Sequence, residues 1–172
     1  MRTGTGVSVN AFLCEELGLS QDYLETRVQT VFLNGKAVDD LDSALIKDGS
    51  VLALSAAMPG LLGATLRRGS YYAAMRGEIS YHSSDAAVPG GEGTVSVKLF
   101  NLLVGEVGSL LLRKGIWIPG TEIGEFLDKR PPRFWDACVK AVYEGHEMDL
   151  KALRRMQWTP EPLIFRLSRV DR

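Results

Sequence analysis

The sequence predicts an α+β protein built on a mainly antiparallel or mixed sheet. Two observations carry that expectation. Short β-branched and aromatic runs recur along the chain, and Asn34-Gly35 and Asp48-Gly49 supply tight turns among the first of them. Amphipathic stretches stand between the runs, with hairpins rather than βαβ crossovers. Composition agrees, since 172 residues with 45% hydrophobic and 24% charged side chains make an ordinary globular chain. Such a chain buries roughly 70% of its unfolded surface. Twenty Lys plus Arg against 21 Asp plus Glu leave a formal charge of −1. That balance excludes disorder driven by charge, and it provides no field that would draw nucleic acid or an anionic membrane.

The elements follow in order. Ser8 or Asn10 caps a short helix whose apolar stripe is Phe12, Leu13 and Leu17, ended by Gly18. Residues 27–33 read as a strand, Asn34-Gly35 as a turn needing positive φ, and 36–38 as the return strand. Residues 39–46 read as a short helical turn and 50–57 as an apolar strand. A glycine- and proline-rich joint, 61–93, divides a first segment (1–60) from a last one (94–172), with an exposed loop expected over 83–93. Beyond it, 94–103 alternates as a strand, and Gly105 to Gly108 reads as a turn into a second strand, 109–118. Thr121 caps a helix to Asp128, stopped by Pro131-Pro132, and a second helix is expected over 134–144. Asp149 caps a helical turn over 150–156, and 163–170 reads as a last strand.

Cys14 and Cys138 lie far apart, with no further Cys or His at ligand spacing. This predicts two buried thiols in a reducing compartment, with no disulfide, metal or cofactor. The N-terminus carries no apolar signal region, and no apolar run approaches the roughly 20 residues of a membrane span. The expectation is a cytoplasmic chain.

Within 11–60, the helix is followed by Val31-Phe32-Leu33-Asn34-Gly35-Lys36-Ala37-Val38 and then by Leu45-Ile46-Lys47-Asp48-Gly49-Ser50-Val51-Leu52-Ala53-Leu54. In order and spacing this resembles the second half of the small β-grasp, ubiquitin-like sulfur carriers of thiamin and molybdopterin biosynthesis. The resemblance covers under a third of the chain. It implies a β-β-α-β-β sheet, and a carrier that ends after its final strand in Gly-Gly, whose terminal carboxylate is adenylated and converted to a thiocarboxylate. Here Pro59-Gly60 stands at that place and the chain continues, so Gly60 has no free carboxylate. Gly90-Gly91 is a second candidate, since cleavage after Gly91 would release a carrier-like fragment. The family's opening hairpin has no counterpart before Phe12, whereas 94–118 followed by the 121–127 helix has that shape. A permuted or composite sheet, completed by the C-terminal hairpin pairing with 28–57, is therefore expected. Two independent subdomains, or a start lying upstream, stay open beside it.

Candidate chemistry is sparse. His82 sits in Tyr81-His82-Ser83-Ser84-Asp85, and a triad is assembled from separate elements, so a polar surface loop is the expectation. His146 and Asp149 stand three apart without a further ligand nearby. The joint is more unusual, because Arg67, Arg68 and Arg76 gather there with Tyr71 and Tyr72. Forked guanidinium groups bind carboxylate or phosphate, and rigid tyrosines supply contact area, so the joint is a candidate protein- or anion-binding surface. Sealing of the sheet edge by Leu61, Leu62, Leu66 and Met75, with solvated arginines, is the alternative. The expected function is a non-catalytic binding or adaptor module with an unidentified protein partner. A sulfur-carrier relative released at a double glycine, and an enzyme with a site between the halves, are the alternatives.

Overall fold

Ser8 sets the start of the first helix, its Oγ accepting the Ala11 amide at 3.0 Å. Phe12, Leu13 and Leu17 then turn to one side and are fully buried, and Gly18, at φ 76°, ends the run. The computed structural model describes residues 1–83 and 89–168. These fall into two compact units, Met1–Lys114 and Gly115–Arg172.

The first unit contains β1 (Arg2–Thr5), α1 (Val9–Ala11, continuing as a π-helical turn, Phe12–Glu16) and α2 (Gln21–Thr26). Next come β2 (Thr30–Leu33), β3 (Lys36–Ala37), β4 (Ser50–Ser55) and α3 (Gly60–Leu66). A 3-10 segment (Tyr71–Ile79), β5 (Gly91–Phe100) and α4 (Leu103–Lys114) complete it. The sheet order is β1-β5-β4-β2-β3. β4 and β5 run parallel, and every other pair is antiparallel. The protein is thus α+β with a mixed sheet. Long β5 serves two neighbours in succession, since Gly91 to Thr94 pair with β1 and Val95 to Phe100 with β4.

The ladder fixes the two faces of the sheet, because residues paired across strands share a side. Val31 pairs with Leu54 and Leu33 with Leu52, and all four are buried. With Val9, Phe12, Leu13, Leu24 and Leu103 they form the inner core. Phe32, Ala53 and Lys98 make a row across the opposite, outer face, and Thr30, Ser55 and Phe100 the next row.

Several expected elements differ. Of the second strand expected over 109–118, residues 109–114 belong to helix α4 and only 116–118 are extended, so the hairpin spanning 94–118 does not form. Leu103, Val107 and Leu111 recur every four residues and are buried, and Arg113 and Lys114 lie in the last turn, where the helix dipole favours cations. Gly105 and Gly108 lie inside that helix instead of making a turn. The partner of β5 on its far side comes from the N-terminus, as β1. Residues 39–46 form turns, with no helix. Helix α2, begun by Ser20 Oγ accepting the Tyr23 amide at 3.1 Å, precedes a strand shorter than expected.

The second unit holds β6 (Ile116–Pro119), α5 (Gly120–Asp128), α6 (Pro132–Asp136), β7 (Ala141–Tyr143), β8 (His146–Met148), α7 (Leu150–Arg155) and β9 (Pro162–Phe165). β6 pairs with β9 and β7 with β8, both antiparallel. Ile123, Leu127 and Trp135 are the buried centre, with Phe126, Phe134 and Trp158 against them. The helix expected over 134–144 stops at Asp136. The chain then forms a hairpin whose turn places Glu144 at φ 49° and Gly145 at φ 83°. The cap of α5 is Pro119, and Thr121 lies inside the helix.

Candidate functional site

The joint of the first unit is an ordered strap. Asp39 is its anchor: Arg76 Nη2 donates to both carboxylate oxygens, at 2.6 and 2.7 Å, and the Gly69 amide donates to Oδ1 at 3.0 Å. The Tyr81 amide donates to the Ala37 carbonyl at 2.7 Å, and Lys36 Nζ donates to the Glu78 carbonyl at 2.5 Å. These bonds draw 67–81 along the edge strand β3, covering main-chain groups that would otherwise template aggregation.

Two of the three joint arginines therefore serve the fold. The Arg76 side chain is 1% exposed, with Nη1 buried and unpartnered. Arg68 donates from Nη2 to the Leu24 carbonyl at 2.6 Å and from Nε to the Val28 carbonyl at 3.2 Å, closing the end of α2. Burial holds its guanidinium below its usual pKa. Arg67 is exposed at the end of α3. Tyr71, 92% exposed, meets Tyr72 edge to face at 5.5 Å. The five residues do not form one anion cradle, because Arg68 and Arg76 turn inward.

The other candidates are placed as follows. Gly60 opens α3 at φ 76°, Gly90 lies near Thr5, and Gly91 is already in β5, paired with Thr5. His82 is exposed, and its neighbours Ser84 and Asp85 lie outside the described residues, as do 86–88 of the loop expected over 83–93, whereas 91–93 of that loop belong to β5. His146 is an exposed strand residue, whereas Asp149 caps α7 through the Lys151 amide at 2.9 Å, so the two share no helix face. Among the described residues no cluster of His, Cys, Asp or Glu has the makings of a metal site. Cys14 and Cys138 are half-buried instead of fully buried. Burial, then the charge of Glu15, pushes the Cys14 thiol up, away from nucleophilic use.

Residue patterns did not single out the outer face of the sheet. There Phe32, Val51, Ala53, Met58, Leu66 and Phe100 line an apolar groove of about 450 Å³, with Lys98 its one charged lining residue. α3 forms one wall, and Gly63 allows this by lying against the Met58 main chain, where a Cβ would come within 2.0 Å of the carbonyl oxygen. Asn101, at φ 55°, donates from Nδ2 to Ser55 Oγ at 2.9 Å and closes one end. Phe100 remains 50% exposed. The available signal was the run of apolar residues on both faces of β2 and β4. It becomes a site only when β5 brings Lys98 and Phe100 alongside.

The groove lining holds no Asp, Glu, His or Cys, and its polar side chains are those of Ser55, Lys98 and Asn101. Comparison with protein-family models, curated proteins and solved structures finds no match to this chain.

Proposed function

We propose that the first unit is a permuted β-grasp, ubiquitin-like module that acts as a non-catalytic binding or adaptor surface for another protein. The strand order supports the fold reading. Taken in the order β5, β1, α1, β2, β4, leaving aside α2 and the two-residue β3, the elements run β-β-α-β-β, with an antiparallel opening pair and a parallel contact between its first and last strands. Moving the first strand behind the last gives this chain.

The observation that carries the functional reading is the apolar groove on the outer face, lined without Asp, Glu, His or Cys. Contiguous exposed apolar surface with an aromatic at its centre is what protein interfaces use. Phe100→Asp on the full chain tests it. Phe100 is half-exposed, so the melting temperature stays near the parent's while a partner captured by the parent is lost. Equal retention of that partner by the variant would overturn the reading.

The sulfur-carrier alternative loses support from the sheet. A cut after Gly60 or after Gly91 would detach β5, the strand that joins β1 to β4. Intact mass from the native source checks this, and a fragment ending at either glycine with added sulfur would reinstate the carrier.

A further inference from the structure

The apolar groove of the first unit is polar toward one side only. Its floor is laid by alternate residues of three adjacent strands. Phe32, Ala53 and Lys98 stand in one row, with Val51 in the row before it and Ser55 and Phe100 in the row after. From Val51 to Ser55 the floor runs roughly 13 Å, four residues at about 3.3 Å each. Toward β2 it offers the Phe32 ring, and Met58 and Leu66 extend the apolar lining at the α3 wall. The polar side chains gather at β5 and the neighbouring end of β4. Asn101 Nδ2 carries two N–H groups, one of which donates to Ser55 Oγ at 2.9 Å, while Ser55 Oγ itself donates to the Ala56 carbonyl at 3.0 Å. The second Nδ2 hydrogen has no acceptor among the described residues, and it lines the same groove as the exposed ammonium of Lys98.

We propose that this groove is a binding site for a small amphiphilic carboxylate, its unbranched alkyl chain lying on the floor and its head accepting from Lys98 Nζ and Asn101 Nδ2. The inference goes beyond the protein-binding reading and requires no protein partner. Three observations select the ligand. Charge comes first. The lining presents one cation and one amide donor with no Asp or Glu among them, so an anionic head is attracted and a cationic head is repelled.

Size is the second. The groove's 450 Å³ falls within the roughly 300–1,000 Å³ of small-molecule sites. A protein partner covers about 800 Å² of each surface, so for such a partner the groove is only a centre, whereas a small ligand fills it whole. Polarity along the floor is the third. A ligand polar at both ends would press its second polar group against Phe32 and Leu66, where no donor or acceptor side chain lines the groove, and that costs free energy. One polar end and one apolar chain match the floor, and a dicarboxylate does not.

Chemical-shift mapping on the isotope-labelled full chain is the test, with sodium decanoate below its micellar concentration as the probe. Saturable shifts are expected at Val51, Ala53, Lys98 and the Asn101 side-chain amide, half-complete at roughly 1 mM. Each methylene removed from the chain weakens binding roughly two- to fourfold. The same chain with a trimethylammonium head binds about fivefold more weakly, and Lys98→Glu reverses that order. Lys98 is exposed, so the variant keeps the parent's melting temperature. Three results would overturn the proposal. One is the absence of saturable shifts at these residues. Another is equal binding of the two heads, or an unchanged order in Lys98→Glu, either of which marks adsorption to any apolar surface. The last is shifts at the same residues that follow protein concentration without ligand, which marks a second copy seated in the groove. None of these bears on capture of a protein by the parent, which Phe100→Asp tests alone, so the two readings fail separately.

Discussion

Substitution of Asp39 is expected to cost more than substitution of its buried partner, Arg76. The Arg76 side chain is 1% exposed and that of Asp39 43% exposed. Asp39→Ala leaves a guanidinium enclosed with Nη1 and Nη2 both unpartnered, and also orphans the Gly69 amide. Breaking a fully buried pair costs about 3–5 kcal/mol. Because Asp39 is partly solvated and the strap is free to open, the expected loss here is about 2 kcal/mol. Arg76→Met instead removes a donor that already lacks a partner and leaves Asp39 to water, so its cost is at most about 1 kcal/mol. The double variant recovers most of the Asp39→Ala loss. Urea unfolding gives the three values, and exchange of the Tyr81 amide, bonded to Ala37, reports whether the strap opens before the sheet. Equal costs for the two single variants, or strict additivity in the double, would refute the pairing argument.

Further outcomes follow from packing and titration. Leu52 is fully buried, so Leu52→Ala is expected to lose about 2–5 kcal/mol in urea unfolding, whereas Lys98→Ala on the outer face stays within about 0.5 kcal/mol. Gly63→Ala forces a methyl against the Met58 carbonyl and is expected to cost about 1–3 kcal/mol, with a lowered melting temperature; an unchanged melt would show that α3 does not pack as described. Tyr23 donates to Glu106 at 2.6 Å, and burial, then this bond, pushes its pKa up to about 12. A raised folded pKa means that this stabilisation is present below the ordinary tyrosine value and lost as pH rises through about 12. Glu106 has the opposite sign: the hydrogen bond from Arg27, then that from Tyr23, holds its carboxyl low. Its contribution is present above the ordinary carboxylate range and lost as pH falls through the lowered value. Glu106→Gln is expected to lower the Tyr23 midpoint in an ultraviolet titration and to flatten the acid limb of the stability profile.

Features governed by a few neighbouring residues were legible in the sequence. Asn34 and Gly35 take φ of 51° and 79°, as a tight hairpin turn requires, and Asp149 caps α7. Where two local signals competed, burial decided. Gly105 and Gly108 signal a turn into a strand over 109–118, but the four-residue repeat of Leu103, Val107 and Leu111 has an apolar surface to cover, and the helix follows. Hairpin β7–β8 has strands of only three residues, too short for a period to show, so 134–144 reads as one helix.

The site lay further out of reach, because charge in a sequence does not reveal direction. Arg67, Arg68 and Arg76 look alike as a basic cluster, yet Asp39, distant in sequence, and the carbonyls of Leu24 and Val28 draw two of them inward. The same long-range pairing makes the groove. Phe32 and Ala53 are unremarkable strand residues until β5 crosses to lie parallel to β4 and sets Lys98 in their row. That parallel contact, made by the last of the five sheet strands in chain order, is what turns residues scattered over three strands into one apolar face.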